Sequence, residues 1–383
     1  MRIVFAGGGT GGHIYPGIAV ADETKAYAEG HRIPVEIYWI GNRAGMDRAI
    51  VEKNLLSEGG SITAFIGIPC GKLRRYISLQ NFVDIFKIGA GFFKALWVLM
   101  KLKPDCLFSK GGFVSVPPCR AARLLRIPYY THECDFTPGL ATRLNAKGAR
   151  RILLSYEETA AYFKGKLTEK CLVTGNPVRP VFYRDNAAAG RAFLDIPAES
   201  PKPVLLVIGG SLGAKQINTL ITENLVWLKE HFLVVHQTGK SFAEENPELM
   251  QADECYRPFA FIYQEMPAVM QAADIVLSRA GANSLWEAAT CAKALVLIPL
   301  SGSGTRGDQV DNARYFEKHG AALVLAGNNA DGGHLRQALE SLLPVANREA
   351  LSSACRKLCG TEKPAEKIAQ IILQGVQNDL TNH

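Results

Sequence analysis

The chain has 383 residues, a formal net charge of +7 and 48% apolar residues, which excludes a disordered segment and suits a large core divided between two domains. The longest apolar run, residues 88–100, is broken by Lys94 and is too short to cross a bilayer. Nine scattered cysteines with no CxxC pair read as reduced thiols, not a disulfide framework.

Met1-Arg2 leads straight into an apolar strand, so no signal peptide is expected. Residues 3–6 form that strand, Gly7-Gly8-Gly9-Thr10-Gly11-Gly12 a tight loop and residues 15–28 a helix. Such a loop points backbone N–H groups and a helix N-terminus at an anion. Gly7-x-Gly9-x-x-Gly12 also fits the dinucleotide fingerprint, but the next strand, 35–40, ends in Gly41-Asn42-Arg43 without the carboxylate that would hold a ribose. His13 falls in the first helical turn, where the dipole disfavours an imidazolium. It suits either a proton acceptor for a hydroxyl or a cap on its own loop.

Between Lys72 and Lys103, Phe82, Ile85, Phe86, Phe93, Leu96, Trp97 and Met100 recur at helical spacing, which assigns most of them to the core. Lys87, Lys94 and Lys101 make a basic stripe on the same helix. Upstream, Lys72, Arg74, Arg75, Tyr76 and Ile77, with Phe82, suit either a patch resting on anionic lipid or a solvated loop. Strands follow at 106–109, 127–131, 152–155 and 171–173, with Lys110-Gly111-Gly112 a turn and Thr137-Pro138-Gly139 a helix start. His132-Glu133-Cys134-Asp135 is a compact acid–histidine cluster, but no further metal ligand has a suitable spacing, so no metal site is expected.

Residues 184–202 read as an irregular connection, after which the opening pattern returns. Residues 203–208 form a strand, Gly209-Gly210-Ser211-Leu212-Gly213 a second glycine loop and 218–228 a helix, followed by strands at 232–236, 259–262, 275–278, 295–298 and 321–325. The repeated unit predicts an α/β protein of two Rossmann-like domains with parallel sheets, facing a cleft at the C-terminal strand ends. The boundaries expected are 1–176, 177–358 and a C-terminal helix at 359–383, with its packing partner open.

The second half carries the groups for a nucleotide sugar. Ser278-Arg279-Ala280-Gly281-Ala282-Asn283-Ser284 is a small-residue loop whose N–H groups and Ser284 can meet a phosphate. Glu287, one turn on, can accept from a ribose diol or simply favour its helix dipole. The loop 301–307, with Gln309 beyond it, suits sugar hydroxyls or a linker capped by Asp308. No Asp-x-Asp occurs, and no basic run is interleaved with aromatics, so neither the usual nucleotide-sugar cation pair nor a nucleic-acid partner is expected.

Taken in order, Gly8-Gly9-Thr10-Gly11-Gly12-His13, Lys110-Gly111-Gly112-Phe113-Val114-Ser115, His132-Glu133, Pro138-Gly139-Leu140, Gly175-Asn176-Pro177-Val178-Arg179, Gly209-Gly210-Ser211-x-Gly213, Ser278-Arg279-Ala280-Gly281-Ala282 with Glu287, and Asp308-Gln309-x-x-Asn312-Ala313 resemble the MurG family of cell-wall N-acetylglucosaminyltransferases. The resemblance implies a GT-B architecture and inverting transfer from UDP-N-acetylglucosamine to an undecaprenyl-pyrophosphate-linked muramoyl sugar. It implies a peripheral protein on the cytoplasmic face of the membrane, with no required cofactor and room for stimulation by divalent ions. By the same resemblance, Tyr263 reads uracil through its backbone, Arg179 and Ser211 bind donor, and Ala282, Asn283 and Ser284 line the phosphates. Glu287 holds the ribose and Gln309 the sugar. Thr10, Gly11, Gly12 and Asp135 reach the donor from the first domain, Gly9, Glu133 and Asn312 belong to the acceptor side or its surroundings, and His13 is the base. Cys134-Asp135 stands where many members carry Gln-Asn, exchanging an amide donor for an acceptor, and Asp308 stands where Gln or His is common. The other functions open to the sequence are a GT-B transferase with another acceptor, or a non-catalytic nucleotide-sugar binder at the membrane.

Overall fold

The computed structural model describes residues 1–57, 59–71, 79–197, 200–210, 213–302 and 306–381. It divides into two compact units, 1–179 with 362–383, and 180–361.

The first unit runs β1 (Arg2–Gly7), α1 (Gly11–Gly30), β2 (Glu36–Asn42), α2 (Asp47–Leu56), β3 (Ala64–Ile68), α3 (Leu79–Leu102), β4 (Cys106–Gly111), α4 (Val116–Leu124), β5 (Tyr129–Glu133), α5 (Leu140–Ala146), β6 (Arg151–Leu154) and β7 (Cys171–Val173). Its seven strands are all parallel, in the order β3-β2-β1-β4-β5-β6-β7. Alternation along β1 builds two cores. Ile3 and Phe5 pack with Ile14, Ile18 and Trp39, whereas Val4 and Ala6 pack with Val98, Leu99 and Leu107.

The second unit runs α6 (Ala187–Phe193), β8 (Val204–Ile208), α7 (Lys215–Glu223), α8 (Leu225–His231), β9 (Leu233–Gln237), α9 (Lys240–Glu245), β10 (Tyr256–Phe259), α10 (Met266–Ala272), β11 (Ile275–Ser278), α11 (Ala282–Thr290), β12 (Ala294–Leu297), α12 (Asp308–Lys318), β13 (Ala322–Val324), α13 (Gly332–Ser341) and α14 (Val345–Cys359). Its six parallel strands are ordered β10-β9-β8-β11-β12-β13. The final helix, α15 (Pro364–Thr381), returns to the first unit, where Ile368, Ile372, Leu373 and Val376 join the core beneath α1.

Three local expectations change. Residues 187–193 of the supposedly irregular connection are helical. The helix expected across 218–228 breaks at Asn224, whose side-chain amide turns back to the Leu220 carbonyl at 2.7 Å. The third correction is α3, where Ala95, Val98 and Leu99 supply the buried face while Phe82 is 66%, Phe86 66%, Phe93 69% and Trp97 52% exposed. Helical spacing identifies a stripe, but not whether anything covers it.

Strand order reverses between β1 and β4 in one sheet and between β8 and β11 in the other. In open α/β sheets such switch points, at the carboxyl ends of the strands, are where ligands bind. Both glycine loops leave strands at these two points.

Candidate active site

At the first switch point β1 passes through Gly7 into a loop that ends where α1 begins at Gly11. Thr10 is extended and makes no side-chain capping bond, and its carbonyl accepts the His13 N–H at 3.1 Å. His13 therefore occupies the first turn, as its spacing requires. Its ring is walled by the turn after β4: a carbon added at Gly112 would lie 2.7 Å from His13 Cδ2, and one at Gly111 would lie 3.9 Å from Nδ1. Gly112 has φ 74° and ψ 160°, a conformation open essentially to glycine alone. Ser115 fixes that turn by donating its N–H and its hydroxyl to the Gly112 carbonyl, at 3.1 and 2.9 Å. The Lys110–Ser115 motif is thus the wall against which the imidazole rests.

The front of the glycine cluster does something the sequence did not suggest. Gly9 N–H donates to both oxygens of Asp47, at 2.9 and 3.1 Å, and Asn42 N–H donates to Oδ2 at 2.8 Å. Gly9, at φ +85°, also passes so close to Phe113 that an added carbon would sit 2.4 Å from the ring. An internal carboxylate therefore fills this half of the presumed phosphate cradle. Asp47 went unread because an acid opening a helix is ordinarily a dipole partner; its place shortly after Gly41-Asn42-Arg43 was the available signal. Arg179 lies with its guanidinium carbon 5.2 Å from the centre of the Tyr15 ring, which places that predicted donor residue beside α1 and adds Tyr15 to the site.

The acid–histidine cluster resolves into separate roles. His132 is fully buried and donates Nε2–H to the Gly175 carbonyl at 3.0 Å; burial and the neighbouring Lys110 ammonium hold its pKa well below the usual value. Lys110 is itself 1% exposed, and its Nζ has no hydrogen-bond acceptor among the described residues. Glu133 accepts from the N–H of Asp135 at 3.1 Å and of Gly139 at 2.8 Å, setting the entry to α5. Ligating atoms of Glu133, Cys134 and Asp135 lie within 4.8 Å of one another, a grouping without His132. Each Glu133 oxygen already accepts one backbone N–H, and these two bonds shape the turn into α5.

The second switch point assembles the nucleotide candidates. Gly209 and Gly210 leave β8, Ala282, Asn283, Ser284 and Glu287 lie in the opening turns of α11 after β11, and Gln309 opens α12. Ser211 lies outside the described residues, as do Lys72, Arg74, Arg75, Tyr76 and Ile77. Gln309 Oε1 accepts from Leu300 N–H at 2.8 Å, orienting its amide beside the preceding loop. Asn312 is fully buried and donates Nδ2–H to the Ala280 carbonyl at 3.1 Å, so it ties α12 to the β11–α11 loop. Gln237, unremarked in the sequence, is 4% exposed and spans two site segments. Its Nε2 donates to Gly210 O at 3.4 Å and its Oε1 accepts from Ile262 N–H at 2.9 Å, linking the glycine loop to the segment carrying Tyr263.

Residues 3–154 match the glycosyltransferase family 28 N-terminal domain and residues 204–371 its C-terminal domain. A Treponema denticola protein named UDP-N-acetylglucosamine--N-acetylmuramyl-(pentapeptide) pyrophosphoryl-undecaprenol N-acetylglucosamine transferase is 47% identical over 97% of this chain and 96% of its own. A Clostridium botulinum protein of the same name is 39% identical over 90% of this chain and 92% of its own. This chain belongs to the MurG family. Acinetobacter baumannii MurG superposes with a TM-score of 0.69 at 22% identity, covering 97% of this chain and 99% of that one, which bears out the two-sheet GT-B fold. Within this MurG-family chain, Gly111, Gly112 and Ser115 act as the wall for His13, and Asp47 and Gln237 join the residues that its motifs already marked.

Proposed function

We infer that this chain is an inverting glycosyltransferase that moves N-acetylglucosamine from UDP-N-acetylglucosamine to the muramoyl 4-hydroxyl of undecaprenyl-pyrophosphoryl-N-acetylmuramoyl-pentapeptide, a step of peptidoglycan synthesis. The near-full-length 47% identity to a relative bearing that name carries the conclusion. His13 takes the proton of the acceptor hydroxyl as its oxygen bonds to the anomeric carbon and the bond to UDP breaks. The departing diphosphate gains charge, and fixed N–H dipoles at the start of α11, around Ala282, Asn283 and Ser284, are suited to stabilise it. Glu287 accepts from the ribose and Gln309 meets the sugar. No resident cation is required on this scheme, which leaves room for stimulation by divalent ions.

Among the described residues no helix is long and apolar enough to cross a membrane. The exposed aromatic face of α3 instead supports peripheral docking on the cytoplasmic leaflet. Lys94 Nζ lies 4.4 Å and Lys101 Nζ 5.4 Å from the centre of the Trp97 ring, so cationic and apolar groups share one surface. The deciding experiment is transfer of radiolabelled sugar from UDP-N-acetylglucosamine to a soluble lipid-acceptor analogue, with H13A beside the native protein. Transfer by the native chain, lost in H13A while UDP still binds, is the expected outcome. Absence of transfer overturns the assignment, and undiminished turnover in H13A removes His13 as base.

A further inference from the structure

A carboxylate as enclosed as Asp47, 1% exposed, is costly to ionise, and burial pushes its pKa up. Among the described residues no cation offsets that cost; the compensation comes from backbone donors, including Gly9 on the β1–α1 loop and Asn42 at the end of β2. The backbone is shaped around it, since a carbon added at Gly8 would fall 1.7 Å from Asp47 Oδ2. An apolar residue would fill the space and join the core, but it would leave two backbone N–H groups without an acceptor. The carboxylate, at the start of α2, thus ties the loop at Gly9, four residues before His13, to the end of β2.

We propose that Asp47 is a positioning residue for transfer: its carboxylate occupies the anion place in the Gly8-Gly9 half of the cluster and fixes the loop from which His13 projects. The inference rests on the reading of His13 as base. It divides the glycine cluster in two, because the Gly9 N–H is already engaged and substrate contacts fall to Thr10–His13 at the start of α1. Asp47 itself touches no substrate.

The test uses the full chain and four variants, D47N, H13A, the double variant and G8A, with melting temperature, UDP affinity, kcat and KM as readouts. D47N removes the buried charge and keeps one accepting oxygen, so its melting temperature should hold or rise and UDP affinity should stay within twofold. Its kcat should nonetheless fall at least tenfold, a split that a purely structural residue would not give. In the double variant the loss should not exceed that of H13A alone, since both changes act through one group. Wild-type kcat in D47N, or additive losses in the double variant, overturns the proposal while leaving the transferase assignment intact. Undiminished turnover in H13A instead removes the base and this inference with it. Should D47N melt below the assay temperature, G8A decides, because its new carbon crowds the same oxygen: reduced kcat at unchanged UDP affinity supports the proposal, and unchanged kcat overturns it.

Discussion

Gly112→Ala is the sharpest probe of the wall behind His13. A β-carbon there would stand 2.7 Å from His13 Cδ2 and 2.9 Å from the Gly8 carbonyl oxygen, so the contact to the ring falls roughly 0.7 Å short of the 3.4 Å at which ordinary packing begins. The backbone at φ 74°, ψ 160° adds about 1–3 kcal/mol of strain for any side chain. For a unit of this size that corresponds to a fall of roughly 2–12 °C in melting temperature. The larger effect belongs in turnover, because the imidazole must retreat, and a misplacement on the order of 1 Å costs about a hundredfold in rate. Gly165→Ala is the control: its φ is +57° and no atom lies within 4 Å of the added carbon, so it carries backbone strain without contact. Steady-state transfer assays and thermal melts on both variants should show kcat collapsing in Gly112→Ala alone, with UDP affinity held. Equal kcat in the two variants would refute the assignment of the turn as a wall for His13.

Gln237→Leu removes the bridge between Gly210 and Ile262. At about 0.5–1.5 kcal/mol per lost hydrogen bond, KM for UDP-N-acetylglucosamine should rise some tenfold with kcat nearly constant; a kcat defect at unchanged KM would contradict it. Replacing Phe86, Phe93 and Trp97 together with Ser should lower sedimentation with anionic vesicles at least tenfold, given about 1.5–3 kcal/mol per buried aromatic, while the melting temperature barely moves because all three are exposed. Undiminished sedimentation would show that the face serves something else. His236 is buried between Tyr256 and Asn218, and burial lowers its pKa from 6.5 to about 3. Its folded-state pKa is depressed, so the stability it supports is present above pH 6.5 and lost as pH falls toward about 3, at up to about 1.4 kcal/mol per pH unit. Melts across mildly acidic pH should steepen with acid in the native chain and less in His236→Gln; parallel curves would show that other groups govern acid sensitivity.

The sequence alone determined the two-sheet fold, because buried parallel strands are written as short apolar runs closed by glycine loops, and that pattern occurs twice, at residues 3–12 and 203–213. It also placed His13 in a first turn, and its ordered motifs pointed to the MurG family, since helix starts and glycine turns are local grammar. Tertiary structure decided the partners. Asp47 meets Gly9 across 38 positions, and Gln237 joins Gly210 to Ile262 at separations of 27 and 25. The neighbours of Gln237 in sequence announce no such contact, and the one hint at Asp47 is its place shortly after Gly41-Asn42-Arg43. Glu133 and Asn312, attractive as polar motif residues, turned out to be held by backbone groups. Along α3 the chain recorded an apolar stripe faithfully but could not say that one side would be left facing solvent. Periodicity is a property of a single segment, whereas burial depends on what packs against it.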